Sequence, residues 1–144
     1  MSAILTLDAV SVRLPKNADR SHAMSEVSLA LEANEILCVV GESGSGKSMT
    51  ANAVMRLLPP GVAIDGGRIL FQDRDLATMT EAEMRKVRGA GIAMIFQEPM
   101  TALNPLLTIG DQIGEMFELH TDLGKAQIRG KVRALLEEVR IPDP

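Results

Sequence analysis

One eight-residue run constrains this chain more than anything else in it. Gly41-Glu42-Ser43-Gly44-Ser45-Gly46-Lys47-Ser48 fits the pattern G-x-x-x-x-G-K-[ST] at every position. The chemistry behind the pattern is specific. Glycines permit positive φ and let backbone approach an anion closely. Successive N–H groups then point into one concavity that takes phosphate. Lys47 offers a compact charge for the outer phosphates, and Ser48 a hydroxyl for Mg²⁺. Met49 follows in the same turn. The pattern is short enough to arise by chance, so context decides. It has to follow a buried strand and open a helix. Both are expected here: residues 36–40 (Ile-Leu-Cys-Val-Val) are a continuous apolar run of the kind found in parallel sheets, and a helix is expected from Lys47 to Leu58, stopped by Pro59, Pro60 and Gly61.

The rest of the chain fits around that turn. Residues 4–14 alternate loosely as a strand, and Pro15 to Ser21 are polar and loop-like. Val27, Leu29 and Leu31 alternate with polar or small residues, as in a half-buried strand. Residues 68–72 are a short strand candidate. Thr80 with Glu83 forms a capping box for a helix to about Arg88, and Gly89 and Gly91 end it. Residues 92–96 (Ile-Ala-Met-Ile-Phe) predict a second buried strand. Thr108 with Asp111 starts a helix to about His120. A last helix carries Ile128, Val132, Leu135, Leu136 and Val139 at amphipathic spacing.

Composition narrows the classes of function. At 144 residues and 46% hydrophobic, the chain has the length and the apolar content of one packed domain. Its net charge of −4 argues against a sequence-independent grip on nucleic acid, which needs a basic face. Phosphate binding through backbone N–H groups and one lysine is unaffected. The single cysteine, Cys38, cannot form an internal disulfide, and its place in the 36–40 run reads as that of a small buried apolar residue. The nine methionines read as adaptable core filler. The first ten residues lack the basic and apolar regions of a signal peptide, and no apolar stretch is long enough to span a bilayer, so a membrane role would come through a partner.

The loop GESGSGKS, followed by RGAGIAMIFQEPMTALNP at residues 88–105, resembles the ATPase subunits of ABC transporters. The similarity is closest to the oligopeptide, dipeptide and nickel importer group, and within it to glutathione- and peptide-importer ATPases. It runs over essentially the whole chain. It implies an α/β fold: a P-loop NTPase core with an N-terminal antiparallel β part over residues 1–97, then the start of a helical subdomain over residues 98–144. It implies ATP and Mg²⁺ as ligands, with Gly41, Glu42, Ser43, Gly44, Ser45, Gly46, Lys47, Ser48 and Met49 around the phosphates. Gln97 matches the glutamine of the Q-loop, which contacts Mg²⁺ and the attacking water and senses the membrane subunit. Residues 98–105 would lie near the surface that receives the permease. An aromatic that stacks on adenine usually precedes the second strand; the stretch from Asp19 to Met24 has none, which leaves His22 as the only ring.

The partners implied are permease subunits, a second ATPase domain and, indirectly, an extracytoplasmic binding protein, at the cytoplasmic face of the inner membrane, with no nucleic acid. The signature motif, the Walker B carboxylates and the switch histidine of that family are not found in these 144 residues. The expectation is therefore the first half of such an ATPase, hydrolysing ATP no faster than background by itself. The competing expectation is a nucleotide-binding remnant without turnover. Another phosphate-loop enzyme such as a GTPase or kinase is disfavoured: no guanine-specifying N-K-x-D run is present, and the Q-loop resemblance argues against both.

Overall fold

Alternation of apolar and polar residues builds the first layer. In the computed structural model, which describes residues 3–98 and 103–143, strands β1 (Leu5–Arg13), β2 (His22–Leu31), β3 (Ala63–Phe71) and β4 (Arg74–Asp75) form one sheet in the order β2-β1-β3-β4. Every pairing is antiparallel. β1 is central, with Leu5 opposite both Leu31 and Phe71. Its register slips between Asp8 and Ser11, where one extra residue makes a bulge and Ala9 takes φ 50°. Side-chain hydroxyls take up N–H groups around the slip: Ala9 donates to Ser28 Oγ at 2.9 Å and Glu26 to Ser11 Oγ at 2.9 Å. Leu7, Val10, Val12 and Ile69 are at most 1% exposed and form the heart of the core. Met24, Met55, Met79 and Met84 are also buried, as expected of methionine filler.

Helix α1 (Lys47–Met55) leans on the start of β2. Thr50 Oγ1 donates to Met24 Sδ at 3.7 Å, and a Cβ on Gly46 would stand 3.1 Å from the Ala23 carbonyl. The helix ends at Arg56, three residues short of the proline stop, in a left-handed turn. The Arg56 guanidinium donates to the carbonyls of Leu76 and Met79. Helix α2 (Glu81–Val87) opens with the expected capping box: Thr80 N donates to Glu83 Oε2 at 2.8 Å, and Glu83 N to Thr80 Oγ1 at 3.3 Å.

The chain divides into two compact units, Met1–Met84 and Arg85–Pro144. In the second, α3 (Ile109–His120) packs on α4 (Lys125–Glu138). Gly110 and Gly114, one turn apart, face α4: a Cβ on Gly114 would stand 3.5 Å from Ile128, and one on Gly110 3.9 Å from Val132, ordinary van der Waals distances at which an alanine would also fit. Ile128 and Val132 are buried there, whereas Leu135 and Val139, expected on the same face, stay exposed. Thr108 caps α3, accepting from Asp111 N at 3.1 Å. Gln112 ties down the preceding loop, accepting from Asn104 N at 2.9 Å and donating to Asn104 O at 3.1 Å.

Two sequence expectations fail. Residues 36–40 and 92–96 were expected as buried strands, and neither forms one. Ile36 and Val40 are 90% and 89% exposed, Ile95 is 96% exposed, and Cys38 is exposed rather than buried. The physical reason is pairing. A parallel strand takes its partners from elements distant in sequence, and among the described residues no strand runs beside either segment. The one parallel bridge described joins Arg88 and Ile92.

Candidate functional site

The phosphate loop has the geometry its sequence demands. Gly44 takes φ 80° and Gly46 φ 98°, both left-handed, which an L side chain rarely adopts. Gly46 is the N-cap of α1 and provides no side-chain cap; the first turn of the helix carries no acidic residue. The N–H groups that open α1 are therefore uncapped and un-neutralised, which is what an anion needs. Lys47 is turned back on its own loop. Its Nζ donates to Gly41 O at 2.7 Å, to Glu42 O at 2.6 Å and to Ser45 Oγ at 3.3 Å. The amine thus sits over the carbonyl rim, on a flexible stem that can swing to a phosphate. Ser48 is exposed and Met49 half-buried in the first turn of α1.

His22 lies apart from the loop's hydrogen bonds. It is the first residue of β2; its Nδ1 meets Ser21 Oγ at 2.9 Å and its Nε2 lies 3.6 Å from Asp65, which also pairs with Arg13 at 3.1 Å. Sequence reasoning missed Arg20. Its Nη2 donates to Gly44 O at 3.3 Å, so a residue of the β1–β2 connection touches the phosphate loop. No motif signals this contact, which depends on how the hairpin is aimed. Gln97 and Glu98 belong to the second unit and are exposed. Of the 98–105 segment, residues 99–102 lie outside the described residues. Among the described residues no group of three or more His, Cys, Asp or Glu could hold a metal ion. A cation here would depend on the Ser48 hydroxyl together with the ligand's own phosphate oxygens.

The description of the ABC transporter family matches residues 24–144, most of the chain and the whole of the phosphate loop. The chain belongs to the ABC transporter family. Among curated relatives, the dipeptide transport ATP-binding protein DppD of Bacillus subtilis is 45% identical over 145 residues, covering 100% of this chain and 43% of that protein. The peptidoglycan transport ATP-binding protein YejF of Agrobacterium fabrum is 46% identical, covering 98% of this chain and 26% of that one. The glutathione import ATP-binding protein GsiA of Salmonella typhimurium is 41% identical, covering 97% and 23%. The chain thus spans less than half the length of these relatives. Among solved structures, the ATP-binding cassette MJ0796 in a dimeric post-hydrolysis state bound to ADP and Pi superposes with a TM-score of 0.80 at 21% identity, over 96% of this chain and 58% of that one. The fold is therefore that of part of an ABC ATPase cassette. Among the described residues no helix is long and apolar enough to cross a membrane.

Proposed function

We propose that this chain is the phosphate-gripping portion of an ABC importer ATPase that powers uptake of peptides. The observation that carries the reading is the uncapped start of α1, flanked by left-handed Gly44 and Gly46 and by Lys47. The names of DppD, YejF and GsiA concern a dipeptide, a peptidoglycan and glutathione, three solutes that share peptide linkages, and this supports the substrate class. The ligand is Mg-ATP. The N–H groups from Gly41 to Met49 and the Lys47 amine take its phosphates, Ser48 takes Mg²⁺, and His22 meets the base after leaving Asp65. Gln97 contacts Mg²⁺ and the attacking water in the assembled transporter, and marks a functional boundary between a nucleotide core (residues 1–97) and a coupling part (98–144). The partners are permease subunits and a second ATPase domain, on the cytoplasmic face of the membrane, with a substrate-binding protein on its far side.

The test is titration of the chain with Mg-ATP, with Lys47→Ala beside it. Among the described residues Lys47 bonds to its own loop, so its removal is expected to leave the packed sheet intact. Wild type is expected to bind, and Lys47→Ala to bind at least about tenfold more weakly, the loss of one charge-assisted phosphate contact. Equal affinities would remove Lys47 from the site and the reading with it.

A further inference from the structure

We propose that Arg20 is a second cation of the phosphate loop, one that binds the ligand's phosphate chain alongside Lys47. The inference rests on the nucleotide reading above and adds a residue from outside the motif.

Three observations converge. The first is delivery. The β1–β2 connection is closed by Leu14 N donating to Ser21 O at 2.8 Å and Ala18 N to Pro15 O at 3.0 Å, so Arg20 sits at the edge of a hydrogen-bonded hairpin end. Two residues on, β2 turns into the packing that seats Gly46, beside the Ala23 carbonyl. The phosphate loop and the backbone bearing Arg20 are therefore fixed to each other through β2. The second is contact: Arg20 Nη2 reaches Gly44 O at 3.3 Å. That carbonyl occupies one of five guanidinium N–H groups, and among the described residues the remaining donors of the fixed planar fork have no partner.

The third is charge. Arg13, Arg68 and Arg74 of the same unit each face a carboxylate, Asp65, Asp8 and Glu83 respectively. Among the described residues no carboxylate lies in ion-pair range of Arg20. Within the loop itself, Glu42 opposes Lys47, so the eight-residue run carries no net side-chain charge. Arg20 adds a positive charge beside the loop that favours a polyphosphate, and a guanidinium matches phosphate oxygens with paired donors. His22, by contrast, is held by Asp65 and Ser21.

The experiment uses the whole chain and two probes, Mg-ATP and inorganic tripolyphosphate, with Arg20→Ala, Arg20→Lys and Lys47→Ala. Arg20→Ala is expected to weaken both probes by a similar factor of about three to ten. Arg20→Lys is expected to recover part of the loss, the charge without the paired donors, and the unliganded melting temperature to stay the same, since Arg20 is exposed. Undiminished tripolyphosphate binding by Arg20→Ala overturns the proposal, whether or not ATP binding falls. A loss that Arg20→Lys fails to recover, accompanied by a lower unliganded melting temperature, also overturns it, by making Arg20 a brace of the loop. Wild-type binding that needs Lys47 but not Arg20 sinks this inference alone; no binding by wild type sinks the nucleotide reading as well.

Discussion

The antiparallel sheet and the run at residues 36–40 are built from the same kinds of residue and end in opposite environments. Leu7, Val10, Val12 and Ile69 are sealed; Ile36 and Val40 are about nine-tenths exposed. Hydrophobicity does not separate them, and partner availability does. β1 finds β2 after a short connection and β3 through the 32–62 segment, and antiparallel pairing needs only chain that folds back. Residues 36–40 have the composition of a strand covered on both faces, with no neighbour described on either edge. Apolar sequence specifies a wish for burial; the ladder decides whether it is met. The phosphate loop grows out of the open region, yet it is anchored through α1 and Gly46 to the sealed one. That explains how it keeps left-handed geometry while the residues leading into it stay unpaired.

If the sheet carries the stability, breaking its centre must cost most. Ile69 is fully buried in β3, and Leu7 is its cross-strand neighbour in β1. Ile69→Ala removes buried methyl and methylene groups and leaves a cavity, for an expected loss of about 2–5 kcal/mol in urea unfolding. A loss below 1 kcal/mol would mean that the sheet is not the stabilising region and would dissolve the contrast.

A smaller effect is expected at the bulge. Gly67 takes φ 79°, and a Cβ there would fall on the carbonyl oxygens of Asp8 and Ala9. Both conformation and space demand glycine, and β1 cannot yield without unpicking its ladder. Gly67→Ala should cost about 1–3 kcal/mol in the same assay. Little or no loss would show that the bulge is loose, and that tight packing stops short of this end of the sheet.

These two sites show what was and was not legible. The phosphate loop could be read because its determinants are contiguous: eight adjacent residues fix their own φ values and open their own helix. The capping residues Thr80 and Thr108 were legible for the same reason, each acting three residues away. β3 was read only from Arg68, although it begins at Ala63, because Asp65-Gly66-Gly67 looks like a turn; it is a strand whose glycine accommodates a bulge in another strand. β4, at two residues, has no periodicity to detect. Residues 36–40 and 92–96 misled because composition records the environment a strand suits, while pairing is set by residues far away. Arg20 went unremarked because its contact with Gly44 follows from hairpin geometry rather than from any local pattern.

The smallest expected effect tests the open side of the contrast. Ile36 is 90% exposed, and no ladder holds the run it begins. Removing its apolar side chain takes nothing from the core and reduces apolar surface in contact with water, so Ile36→Ser should change unfolding free energy by no more than about 0.5 kcal/mol. The same substitution should raise solubility, since an exposed β-branched run with unpaired backbone is a template for association between chains. Urea unfolding and light scattering at rising concentration measure the two halves. A loss above 1 kcal/mol would show that residues 36–40 pack in solution as their sequence suggests, and the boundary between sealed and open regions would then lie beyond the phosphate loop rather than before it. Unchanged stability with reduced scattering would place the boundary where the exposures put it, at the end of the antiparallel sheet.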